Sequence, residues 1–255
     1  MNKLKTFTND LGAYILFLKE IAIALRKSPP GKTFVFEQAW SVFIQSLLIT
    51  AFSGFFVGAI MTIQFAMQIK MFGASGYLGG LATSGTIREI GPLLIAFLLS
   101  GKVGAYTSAE LGSMKVSEQI DAIRCLGANP MQEIILPRFL GIIIASTFLL
   151  VFGVLFSFYG GALMAYLFAD VSTQEYVRNI PSILTGISIF SGVLKSIVFA
   201  FIIASLCTFY GYRTSGGAKS VGESVVATSV SCMFAIVILD WFTTLVIELV
   251  NGWIS

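Results

Sequence analysis

Apolar positions along this chain follow two patterns, one interrupted and one continuous. Leu4, Phe7, Leu11, Tyr14, Leu18, Ile21 and Leu25 recur at alternating steps of three and four, which sets them on one helical face. Lys3, Lys5, Asp10, Lys19, Glu20 and Arg26 break any continuous apolar run, so residues 1–30 read as an amphipathic helix lying in a membrane interface. The competing reading is a secretory leader, with Leu11–Leu18 as its core and Ala22-Ile23-Ala24 as its cleavage site. Asp10 and the Lys19-Glu20 pair bracket too short a core for that. Pro29-Pro30-Gly31 ends the helix.

Beyond this point the pattern becomes continuous. A helix needs about 20 apolar residues to cross a bilayer. Ala39–Met67 is uncharged and long enough, and it contains a GxxxG from Gly54 to Gly58, a spacing that lets another backbone come close. Residues 72–85, rich in Gly, Ser and Thr, read as a loop or broken helix. The second span is irregular: its clean core, Leu93–Leu99, is too short, so it must take in Arg88, Glu89 and Pro92 near its outer end and Lys102 near the other. Leu140–Phe168 is a third span, followed by a polar piece, Asp170–Pro181. Ile183–Tyr210 with Lys195 is the fourth, residues 211–222 are a polar loop, and Val225–Val250 with Asp240 and Glu248 is the fifth.

Composition agrees with this pattern. The 255 residues are 56% hydrophobic and 11% charged, against about 25% charged in a soluble domain. Such a chain cannot clothe a globular surface with polar groups. The fold class is an all-α polytopic membrane protein: an interfacial helix (1–30) and a five-span domain (31–255) forming one unit over 1–255, with no room for a soluble catalytic domain. Lys and Arg collect in the N-terminal segment, between spans two and three (Lys115, Arg124, Arg138) and between spans four and five (Arg213, Lys219). The opposite side has Lys70, Arg88 and Arg178. Five spans put the three richer segments on one side, so the positive-inside rule makes the N-terminus cytoplasmic and the C-terminus external.

Catalytic chemistry finds little support. The chain has no His, which removes the commonest acid–base and metal ligand. Cys125, Cys207 and Cys232 are scattered without a CxxC, so neither a disulfide framework nor a metal site is implied. Gly216-Gly217-Ala218-Lys219-Ser220 lacks the GxxxxGK[ST] register of a phosphate-binding loop, so the chain is not expected to hydrolyse ATP by itself.

The polar stretch Ala109–Pro130 is more informative. Ser117 suits an N-cap, Glu118 and Asp121 suit the first turns, and Gly127 and Pro130 suit the end. The result is a short helix over about 117–127, with a stripe of Ile120, Ile123 and Leu126 beside exposed Glu118, Asp121 and Arg124. It either rests on lipid or docks into a groove of a soluble partner. Ionisable groups at membrane depth are costly and mark pairing or function. Lys195 and Asp240 lie at matching depths and are expected to pair. Arg88 and Glu89, beside Gly91-Pro92, are either an adjacent interfacial pair or the polar lining of a lipid pocket in which Arg88 meets a phosphate.

Taken in order, Arg88-Glu89-Ile90-Gly91-Pro92, Ala109 to Met114, Glu118 to Ala122, Leu126-Gly127 through Pro130, and Pro137-Arg138 resemble the MlaE/YrbE permease family, and the resemblance covers nearly the whole chain. It implies the membrane subunit of an MCE-linked ABC lipid transporter: a homodimer in a bacterial inner membrane, bound to two cytoplasmic ABC ATPase subunits that carry the ATP and Mg2+. It further implies a hexameric periplasmic MCE-domain protein as a cap and a small STAS-type accessory protein on the ATPase. No cofactor or metal in this chain and no nucleic acid is implied. The same resemblance makes Glu118, Ile120, Asp121, Ile123, Arg124 and Leu126 the ATPase-coupling helix.

A permease of this kind needs wide apolar walls for lipid tails and a few polar groups for the headgroup. Helix spacing suggests Ile60, Gln64 and Phe65 of span one, Tyr77, Leu78, Arg88 and Glu89 of span two, and Leu239, Phe242 and Leu245 of span five as the walls, with the GxxxG at the dimer axis. Two other classes compete. An ion-gradient-driven transporter would use Asp240, Glu248 and Lys195 as a proton relay, but five spans do not divide into inverted halves. A lipid-modifying enzyme would need a nucleophile and base that a chain without His scarcely offers.

Overall fold

A computed structural model of the chain describes residues 2–27, 29–73 and 75–254. Among them the structure is helical, without a strand: α1 (Asn2–Lys27), α2 (Lys32–Lys70), α3 (Leu78–Val116), α4 (Gln119–Cys125), α5 (Met131–Ala169), α6 (Thr173–Arg178), α7 (Gly186–Arg213) and α8 (Ala218–Ile254). Five of these, α2, α3, α5, α7 and α8, are long and apolar enough to cross a membrane. Three turns within them are π-helical: Thr86–Ile90 and Ser100–Gly104 in α3, and Met131–Ile135 opening α5.

The chain forms two compact units. The first comprises residues 1–42, 100–144 and 201–232. In it, α1 buries Phe17, Ile21 and Ala24, while Leu11 and Leu25 are exposed. The buried stripe is therefore offset from the one expected on spacing alone, because aromatic partners on α7 select it: Phe17 meets Phe209 edge-on at 5.6 Å, and the Tyr14 hydroxyl donates to Ser205 at 2.7 Å. The side chains of Lys3, Leu4, Lys5 and Phe7 lie outside the described residues. Glycines bring helices together here too. A Cβ on Gly211 would stand 2.8 Å from Leu111, and one on Gly141 would stand 2.8 Å from Gln38.

The second unit comprises residues 43–99, 145–200 and 233–255. Its α2 and α5 touch backbone to backbone. A Cβ on Gly54 would fall 1.9 Å from the Gly153 carbonyl oxygen, one on Gly58 1.8 Å from that of Ser157, and one on Gly160 1.9 Å from that of Phe55. The GxxxG therefore packs two spans of one chain and is not free to meet a second copy. The Gly-, Ser- and Thr-rich stretch expected to be a loop or a broken helix is the latter, a turn after Lys70 followed by helix from Leu78 onward. Its small residues serve packing, with Gly79 against the Tyr176 carbonyl. The polar piece after span three is folded as well. Asp170 adopts a left-handed φ of 54° as α5 ends, Ser172 accepts from the Glu175 N–H, and α6 buries Tyr176 in a core with Ile69, Leu78 and Ala165.

Candidate functional site

Three spanning helices of the second unit converge on a cluster of charges. The Lys195 side chain on α7 is fully buried. Its ammonium donates to Glu89 Oε2 of α3 and to Thr244 Oγ1 of α8, each at 2.7 Å, and lies 2.8 Å from Asp240 Oδ1 of α8. Thr244 in turn donates to Glu89 at 3.0 Å. Arg88, beside Glu89, donates to Glu248 of α8. An ammonium offers three protons; two are hydrogen-bonded to Glu89 and Thr244, and the Asp240 carboxylate lies within ion-pair distance. Burial at 0% exposure is tolerable only under that condition, because an unpaired ion at this depth costs several kcal/mol.

Local sequence explains the convergence. Asp240, Thr244 and Glu248 stand four residues apart and so share one face of α8. Arg88 and Glu89 are adjacent, and on a regular α-helix they would diverge by more than a quarter turn. They lie in the Thr86–Ile90 π turn, which holds one more residue than an α turn and brings neighbouring side chains closer to one face. Exposure rises across the cluster, from 14% at Asp240 to 33% at Arg88, 39% at Glu89 and 50% at Glu248. It therefore has a buried end built on Lys195 and an open end built on Arg88 and Glu248.

The structure brings together Lys195 and Asp240, and adds Glu89 to the pair. Arg88 and Glu89 lie ten residues into α3, about 15 Å along its axis and away from its end. The sequence reading missed Thr244 and the role of Glu248. The four-residue spacing from Asp240 was the signal that could have found both. Of the other expected walls, Tyr77, Ile60, Gln64, Phe242 and Leu245 are exposed, and Phe65 and Leu239 are half-buried. Leu78 is 1% exposed, in the core beside Ile69 and Tyr176, and borders a pocket with Ile63, Met67 and Phe168 that lacks Arg88 and Glu89.

In the first unit the polar helix α4 is shorter than expected and starts later. Ser117 does not cap it. Its hydroxyl donates back to the Ser113 carbonyl at 2.8 Å and closes α3, which runs helical through Val116. Glu118 then turns the chain with a left-handed φ of 59°. The apolar stripe splits: Ile120 is fully buried, Ile123 is half-buried and Leu126 is 84% exposed. Gly127, at φ 82°, ends the helix, and Asn129 accepts from the Met131 N–H to start α5. Asp121 pairs with Lys115 at 2.8 Å and with Arg124 at 3.0 Å, and Arg124 donates to the Tyr212 hydroxyl. The Lys115 hydrogen bond, ahead of the two cationic charges, holds the Asp121 carboxyl below its ordinary range. Glu118, Arg124 and Leu126 are left exposed.

The family described as Permease MlaE matches residues 35–246. A probable ABC transporter permease protein of Rickettsia conorii is 29% identical over 93% of this chain and 92% of its own. A probable ABC transporter permease protein of Synechocystis is 31% identical over 81% of this chain and 78% of its own. The intermembrane phospholipid transport system permease protein MlaE of Haemophilus influenzae is 28% identical over 79% of this chain and 77% of its own.

Proposed function

The chain belongs to the MlaE permease family, and from that premise we propose that it is the membrane subunit of an ABC transporter carrying phospholipid or a similar lipid between inner and outer membranes. The names of its relatives in Rickettsia and Synechocystis support the ABC assignment, and that of its Haemophilus relative supports a phospholipid cargo. On this reading the chain is non-catalytic and works as a homodimer with its N-terminus cytoplasmic. Two ATPase subunits bind the nucleotide and Mg2+ and take α4 as their docking helix. A periplasmic MCE-domain hexamer and a STAS-type protein complete the assembly.

The observation that carries the lipid reading is the charged cluster with one buried and one open end. The buried end fixes three helices. At the open end, Arg88 holds a partly exposed carboxylate that a headgroup phosphate can replace, with two charge-assisted bonds to the guanidinium. The cluster carries two cations and three carboxylates. A headgroup that brings an ammonium as well as a phosphate matches that balance, because Glu248 then gains a partner when Arg88 leaves it.

The test places a photo-crosslinking residue at Arg88, at Tyr77 or at Leu239 in the assembly reconstituted with its ATPase. Phe148, exposed on α5, is the control, because Leu150 on the same helix is fully buried and reports nothing about the bilayer. Lipid capture at position 88 that exceeds capture at 148 and changes with ATP supports the reading. Equal, ATP-independent capture at all positions defeats it. Transport that persists without the ATPase and collapses with the proton gradient would instead favour a relay through Lys195, Asp240 and Glu248.

A further inference from the structure

Ile87, one residue before the charged pair, lines a different feature of the second unit. A cleft of about 360 Å3 is bounded by Thr86 and Ile87 of α3, Val154 and Phe158 of α5, and Tyr176 and Ile180 around α6. A second lobe of about 250 Å3 continues along α7 past Ile189 and Val193. The two lobes share Ile87, Val154, Leu155 and Leu184. Small residues on α7 let it approach α3 beside the cleft. Gly192 sits against α3, where a Cβ would stand 2.8 Å from the Ile87 carbonyl oxygen, and Ser196 follows one turn later.

The hydroxyls on the floor of the cleft are already engaged, and that of Tyr159 stands at its exposed rim. Thr86 donates to the Ala82 carbonyl and Ser196 to that of Gly192, each at 2.8 Å, and Ser157 donates to the Val154 carbonyl. The Tyr176 hydroxyl is shared with Thr62 and Thr83 at 3.3 Å. Nothing on this floor calls for water or a headgroup, and a cavity whose polar groups are satisfied stays dry and takes apolar guests. Its rim, at Leu155, Tyr159 and Ile189, is at least half exposed on helices long and apolar enough to cross the bilayer. With these helices set across a bilayer, that rim opens toward lipid.

We propose that this cleft is an acyl-chain binding site, distinct from the charged cluster, which takes the tail of a phospholipid or of a free fatty acid. None of its shared wall residues belongs to the ion pairs. The site requires only that the protein sit in a bilayer, so it stands or falls independently of transport. The π turn at Thr86–Ile90 supplies Ile87 to the cleft and Arg88 and Glu89 to the cluster.

Two photoactivatable probes test it on the full assembly in nanodiscs: palmitate with a mid-chain diazirine, and phosphatidylglycerol with the same chain at its second position. Saturable adducts on the peptides carrying Leu155 and Leu184, competed by unlabelled lipid, are expected, while labelling at exposed Phe148 rises linearly. Whichever probe saturates identifies the source of the chain. Filling the second lobe with Val193→Trp should cut labelling at Leu155 by at least about tenfold, the equivalent of expelling about two methylenes. Thermal unfolding checks that this variant folds, and Leu184→Trp replaces it if it does not. Linear labelling at Leu155 like that at Phe148, or unchanged saturable labelling in the filled variant, would each overturn the site.

Discussion

Lys195 sits between two carboxylates, and the loss of either neighbour is not equivalent to the loss of the lysine. Asp240→Asn leaves the ammonium paired with Glu89 and Thr244, whereas Lys195→Met strands Glu89 and Asp240 side by side. Removing one member of a buried pair typically costs about 3–5 kcal/mol. Lys195→Met is therefore expected to lower the unfolding midpoint in detergent more than Asp240→Asn does, and the double variant should lose less than the two losses added. Additivity would show that the groups do not interact. Asp121 offers a different test, outside the spans. Its carboxyl is held below the ordinary range by Lys115 first and Arg124 second, so the local ion pairs are fully present above the unfolded carboxylate value of about 3.9 and are lost as pH falls through the lower, folded value. Carboxyl NMR of 13C-aspartate-labelled protein should find Asp121 titrating below a free aspartate, and Lys115→Met should move it upward.

At the scale of the element, α2 and α5 pack so closely that side chains at the contact are excluded. Gly54→Val and Gly58→Val would each drive a Cβ into a backbone carbonyl, which cannot rotate away as a side-chain end can. Each is expected to destabilise the chain by about 3 kcal/mol or more, measured as thermal unfolding. Gly101→Ala, where a Cβ meets nothing within 4 Å, is the control. If the glycines instead served a contact between copies, these variants would release folded monomer at an unchanged midpoint. The short helix α4 illustrates the opposite limit. With seven residues it cannot hold itself. It is fixed from outside by Ile120 in the core, by the Asp121–Lys115 pair and by Arg124 on Tyr212. That leaves Glu118 and Leu126 exposed at its two ends.

For the whole molecule, sidedness is the property on which the proposed assembly depends. Cys125 is exposed at the end of α4, while Cys207 and Cys232 are buried in spanning helices. A membrane-impermeant maleimide should therefore modify Cys125 in inverted vesicles and not in spheroplasts, and should leave the other two untouched until the protein unfolds. Added ATPase should protect Cys125 if α4 is its docking helix. Labelling from the outer face would reverse the orientation. The last span, α8, has only 22% of its apolar window buried within the chain, against 44–50% for the other four. Its exposed Trp241, Phe242 and Leu249 leave an apolar face for lipid or for the second copy of the proposed homodimer.

Five spans, the break at Pro29-Pro30-Gly31 and a short polar helix between spans two and three could all be read from the chain alone. They follow from local quantities: the length of an apolar run, a missing N–H, a change of charge density. The pairing of Lys195 with Asp240 was legible for a related reason, since an ion at membrane depth must find a partner at the same depth and few are available. Other features depended on which helices became neighbours. Periodicity put Gly54 and Gly58 on one face, but only the approach of α5 decided that another span of the same chain covers them. The stripe on α1 was displaced toward Phe17 and Ala24 because α7 presented Phe209 there, and the polar helix lost Leu126 from its buried face because Ile120 alone reached the core. Glu89 joined Lys195, and Arg88 joined Glu248, through a π turn that no local residue preference announces. The reason is common to all of them: hydrophobicity and charge specify that a surface must be covered or paired, while the identity of the partner is settled by contacts between residues far apart in the chain.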